Sequence, residues 1–138
     1  MVFGVKISIQ TKGFSDILDI SQQVQKIVGQ SGCQNGIASI TVIGSTASVT
    51  TIEFEPALVL DMQEQLEKFA SRQMHSHHSQ TWGDDNGFSH IRASFMGPGI
   101  TIPFTKEKLV LGTWQQIVVI DHDNTPRQRQ IFVQVIGE

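Results

Sequence analysis

Val5, Ile7 and Ile9 alternate with Lys6, Ser8 and Gln10 near the start of the chain. A two-residue period puts the apolar side chains on one face and the polar ones on the other, so this segment is a strand with one buried side. Strand signals recur over residues 37–43, 47–54, 100–104, 109–121 and 130–136. The second of these carries the β-branched run Val49-Thr50-Thr51-Ile52, which suits a pleated surface. A helical period replaces the alternation in two places. Ile20, Val24, Ile27 and Val28 share one side over residues 19–29. Leu58, Met62, Leu66 and Phe69 do the same after Pro56, with Glu55 just before the first turn. A third, short helix is predicted over residues 90–96, stopped by Gly97-Pro98. Asn35-Gly36, Gly44-Ser45 and Asp123-Asn124-Thr125-Pro126 punctuate the strands. The pattern predicts an α+β domain of largely antiparallel sheets with two or three helices, occupying residues 1–138 as one compact unit.

Composition excludes several function classes. A net charge of −3 with no basic run argues against nucleic acid as a partner. No apolar stretch reaches bilayer length, so no membrane partner is expected. Cys33 is the only cysteine, which rules out a disulfide within the chain and suits a reducing compartment. The expectation is a soluble, cytoplasmic protein.

Chemistry is concentrated where the periodic signals lapse. Residues 71–87 are polar and end in Gly83-Asp84-Asp85-Asn86-Gly87, a long loop of the kind that often carries function. His78 and His90 bracket its second half, with His75 and His77 close by. Two imidazoles and a carboxylate such as Asp85 suit a zinc-like ion. A solvated loop with no ligand role explains the same residues. Ser45, Thr46 and Ser48 lie in a hydroxyl-rich connection that can offer donors to phosphate, or simply make a tight turn. Glu53 and Glu55 share one strand face, and Ile52 and Phe54 are expected to face inward opposite them. Trp114 follows Gly112 inside an apolar run; it offers a stacking platform, although burial in the core is the commoner fate. Arg127 and Arg129 can grip phosphate as planar forks.

In order along the chain, Gly-Ser-Thr-Ala-Ser (44–48), Thr-Thr-Ile-Glu-Phe-Glu-Pro (50–56), Thr-Trp-Gly-Asp-Asp-Asn-Gly (81–87), Ser-His-Ile-Arg-Ala-Ser (89–94), Leu-Gly-Thr-Trp-Gln-Gln-Ile (111–117) and Pro-Arg-Gln-Arg (126–129) are similar to the YjbQ-like family. The resemblance covers essentially the whole chain. It implies a homotrimer with sites near subunit boundaries, and it implies secondary thiamine-phosphate synthase activity, joining a pyrimidine-methyl diphosphate to a thiazole phosphate with release of pyrophosphate. On that reading His78, His90, Glu53 and Arg127 are catalytic. Zinc, or magnesium in its place, sits on His78, His90, Asp85 and Glu53. Ser45, Thr46, Ser48, Arg92, Trp114 and Gln115 hold a small phosphorylated metabolite. Gly44 and Ile52 depart from the histidine and asparagine that many members carry. The alternatives are a trimer that binds metal and phosphometabolite without turnover, or a metal-dependent hydrolase.

Overall fold

The alternating segments pair into two antiparallel sheets in the computed structural model, which describes residues 1–138. Chain order is β1 (Val2–Thr11), β2 (Asp16–Asp19), α1 (Ser21–Ser31), β3 (Asn35–Ile43), β4 (Ala47–Glu53), α2 (Pro56–Phe69), α3 (His77–Trp82), α4 (Gly87–Met96), β5 (Gly99–Thr105), β6 (Lys108–Leu109), β7 (Gln115–Asp121) and β8 (Arg127–Gly137). The larger sheet runs β1-β8-β3-β5-β6 and the smaller β2-β7-β4. This is the expected α+β architecture, with four helices where two or three were predicted.

The fold is layered. Val133 and Ile131 of β8, Ala38, Ile40 and Val42 of β3, and Val24, Ile27 and Val28 of α1 form one core with Ile117 and Val119 of β7. On the other face of β7, Val118 and Ile120 join Ile17 and Ile52 under Leu58, Val59 and Met62 of α2 and Met96 of α4. β7 is therefore buried on both faces, which is why residues 117–120 read as an unbroken apolar run and not an alternation. Burying each such aliphatic side chain contributes roughly 1.5–3 kcal/mol.

Two local readings change. Residues 109–121 are not one strand: β6 ends at Leu109, and Gly112 turns the chain, its N–H donating to Gln115 Oε1 at 3.0 Å, before β7 begins. The polar stretch 71–87 is not all loop, because α3 forms within it and α4 starts at Gly87. A Cβ on Gly87 would lie 2.0 Å from Ser76 Oγ, so only glycine lets the two short helices approach there.

Candidate functional site

The functional residues gather at the end of β7. Beyond Ile120 the strand's alternation continues into polar residues. Asp121 points toward the large sheet and His122 toward the helices, as residues 119 and 118 do before them. Asp121 receives both arms of the Arg129 guanidinium, Nε to Oδ2 at 2.7 Å and Nη2 to Oδ1 at 2.8 Å. Thr11 Oγ1 donates to the same carboxylate. Burial would push the Asp121 carboxyl up, but the Arg129 and Thr11 hydrogen bonds outweigh it and hold the carboxyl below its usual range. Arg129 also donates to Thr46 Oγ1, which donates to Asp123 Oδ2 at 2.9 Å. Arg127 Nε donates to Asp123 at 3.0 Å.

His122 is fully buried between two serines, Ser15 Oγ 2.7 Å from Nδ1 and Ser48 Oγ 2.9 Å from Nε2. Arg92 Nη1 donates to Ser15 Oγ, leaving the serine proton for Nδ1; Nε2–H then donates to Ser48, whose hydroxyl faces Met96 Sδ. That chain satisfies a neutral imidazole. Burial first, and the nearby Arg92 second, push the His122 pKa down to about 4.

The acidic loop docks against this end. Asn124 Nδ2 donates to Asp84 O at 2.8 Å, and the Asn86 amide lies 3.1 Å from Asp84 Oδ1 in the orientation that donates to it. His78 Nε2 stands 3.7 Å from Asp84 Oδ2. The His78 and His90 rings meet edge to face with centroids 4.6 Å apart. Of the neighbouring histidines, His75 turns to Gln80 at 2.8 Å and pairs with His77, away from His90.

Gly44 lies beside the Arg129 guanidinium. A Cβ on Gly44 would stand 2.8 Å from Arg129 Nη1, the one nitrogen of that guanidinium without a protein partner. Arg129 is otherwise buried. Gly44, with Ser45, Ala47, Ala93 and Ser94, also lines a recess of about 160 Å3, which the Arg129 guanidinium approaches from behind Gly44 without lining it. His90 sits one helical turn before Ser94 on α4.

Not every residue expected at a site comes to this end. Glu53 pairs with Gln115 at the far end of β4 and β7, six positions from the Ala47–Asp121 pair and so roughly 20 Å away. Gln115 is tied to Thr51 Oγ1 there. Trp114, expected in the core, is 72% exposed beside it. Glu55 is not a strand residue: its carboxylate caps α2, accepting from Ala57 N and Leu58 N. Phe54, expected to face inward, is exposed, whereas Ile52 is buried. Ser48 and Arg92 are committed to the buried network, Arg92 spanning Ala70 O, Ser15 and Glu67. Asp85, in the left-handed region with φ 55°, lines a separate recess with His75 and Gln80.

The metal set does not assemble. No group of three or more His, Cys, Asp or Glu side chains converges to hold an ion. His78 and His90 meet, but Glu53 is at the other end of the sheet and Asp85 turns to His75. These residues of one chain do not fit zinc or magnesium.

Sequence reasoning assigned no role to Asp121 or His122, and read Asp123 only as the start of a turn. The available signal was position: two carboxylates and an imidazole directly after a doubly buried strand must be paired or neutral.

The family described as "UPF0047 protein YjbQ-like" matches residues 5–138. A UPF0047 protein of Methanothermobacter thermautotrophicus is 31% identical over 137 residues, covering 99% of this chain and 94% of that one. A crystal structure from Sulfolobus solfataricus P2, described as a YbjQ-like protein of unknown function, superposes with a TM-score of 0.94 at 34% identity over 100% of this chain and 99% of that one. A YjbQ/UPF0047 protein from Clostridium acetobutylicum gives 0.88 at 32% identity, over 96% and 99%. The thiamine-phosphate synthase expectation is corrected by these relatives: they are named as UPF0047 proteins or as of unknown function, and none for that reaction.

Proposed function

Because the chain belongs to the UPF0047 YjbQ-like family, whose name assigns no reaction, we propose its function from its own site: it binds a small phosphorylated metabolite in the recess beside Gly44. The observation that carries this is the spare Arg129 nitrogen. Guanidinium forks recognise phosphate, and this one is held rigid by Asp121 while Nη1 faces the gap that glycine leaves. The exposed Ser45 hydroxyl and Ser94 add donors at the rim. His90, one turn away, and His78 edge-on to it border the remainder of the ligand.

The reading includes a ring of three identical copies. Glu53, Trp114 and Gln115 stand at the end of the small sheet opposite the phosphate seat, so they reach a ligand only from a neighbouring copy. Head-to-tail contacts of that kind close into a ring when the rotation between copies is a whole fraction of a turn, one third for three copies. Phe95 and Trp114 leave large apolar surface exposed, as an interface requires. No helix is long and apolar enough to cross a membrane; a cytoplasmic setting belongs to the proposal, in keeping with the free thiol of Cys33.

Calorimetric titration with pyrophosphate and glycerol phosphate tests the seat. Saturable binding is expected. Ser45→Asp should weaken it about tenfold or more by placing a carboxylate in the recess, with the unfolding midpoint unchanged. Absence of binding to the unaltered protein ends the reading.

A further inference from the structure

A second recess, of about 330 Å3, opens between α2 and the turn after β1. Gly13, Phe14 and Ser15 in that turn all have positive φ, at 82°, 55° and 60°. For a side chain as large as phenylalanine this is an outlier, maintained only where surrounding structure enforces it. Here Phe14 N–H donates to Asp123 O at 2.7 Å, and Ser15 Oγ is gripped by Arg92 and His122. The enforced backbone leaves the Phe14 ring half-exposed as one wall of the recess, with Leu60 as another.

The Arg72 guanidinium lies over the Phe14 ring, 5.1 Å from its centroid. Its nearest carboxylate oxygen, Glu67 Oε2, is 3.8 Å from Nε, too far for a hydrogen bond, and that oxygen already accepts from Arg92 at 2.9 Å. Glu67 Oε1 accepts from Ser71 Oγ and from Arg72 N–H. Glu67 is thus saturated, and the terminal nitrogens of Arg72 keep a free fork at the mouth. Gln63 gives its Nε2 to Ser15 O, which turns its carbonyl oxygen free, and Glu64 makes no ion pair within the chain.

The lining therefore carries two guanidiniums and two carboxylates around an apolar floor. Arg92 and Glu67 neutralise each other, so the free charges are Arg72 and Glu64: a dianion meets Glu64 and a simple cation meets Arg72, and each is repelled by half of what remains. We propose that this recess binds a small apolar α-amino acid as its zwitterion. The ligand carboxylate takes the Arg72 fork, its ammonium is received by Glu64 and the Gln63 carbonyl, and its side chain packs on Phe14 and Leu60. The site is separate from the phosphate seat and does not depend on it.

The test is titration of isotope-labelled protein with L-leucine, L-leucine methyl ester and 4-methylpentanoate, read from the backbone amide signals. Leucine should saturate with shifts confined to residues around Phe14, Gln63 and Arg72, and each one-charge analogue should bind at least about tenfold more weakly. Arg72→Gln and Glu64→Gln should each weaken leucine about tenfold while leaving the unfolding midpoint unchanged, since both side chains lie at the surface. Failure of leucine to saturate overturns the proposal, as do equal affinities for the three probes or undiminished leucine binding by the variants.

Discussion

His122 shows most sharply how burial sets the behaviour of a single residue. The folded chain holds its imidazole neutral down to about pH 4, whereas the unfolded chain takes up the proton near the ordinary value of 6.5. Between those values the unfolded state binds more protons, so stability is full above about 6.5 and is lost as pH falls toward 4. One proton over that window is worth about 3 kcal/mol. Asp121 and Asp123, both held below the usual carboxylate range, lose their contributions only at lower pH, and Glu67, held below 4.5, enters only at the acid end, so the upper part of this interval belongs to the histidine. Urea unfolding at stepped pH should show the slope in the unaltered protein and its absence in His122→Gln. An identical slope in both would remove His122 as its source. The Asp121–Arg129 pair follows the same logic of buried charge. Its value lies in rigidity: the fork is fixed on one side so that Nη1 is presented on the other.

At the scale of elements, local chemistry accounts for much of what formed. Glu55 before Pro56 was legible as a helix start, and its carboxylate does accept two free N–H groups of the first turn. Glu55→Ala should cost about 1 kcal/mol, measured by urea unfolding, and a change near zero would show that the cap is idle. α3 was not legible because five of its six residues are polar and the sixth, Trp82, is exposed; no apolar stripe marks them. The break between β6 and β7 was hidden by apolar residues, Leu109, Val110 and Leu111, continuing across a turn that Gly112 and the Gln115 side chain make. β2 is four residues long, too short for alternation to register, and exists because β7 offers it an edge.

For the whole molecule, the separation of Glu53 and Gln115 from Arg129 governs the expectation. If a neighbouring copy brings them together, sedimentation should give a trimer, and Phe95→Glu, placing a charge on exposed apolar surface, should shift it to monomers while preserving the fold. Monomers in the unaltered protein at micromolar concentration would remove the ring from the proposal.

The sequence by itself determined the periodicities: the strands that became β1, β3, β4, β5 and β8, the buried stripe of α1, and where helix α2 starts. Those follow from side chains a few positions apart, within reach of one another along the backbone. The encounter of His78 with His90 belongs in part to that class, since twelve positions and a glycine-rich loop separate them. Only the tertiary structure decided the rest. Thr11 meets Asp121 across 110 positions and Ser15 meets His122 across 107. Whether a carboxylate is a ligand, a cap or half of a buried pair depends on what the sheets bring beside it, and strand order is set by packing that no short window of residues contains.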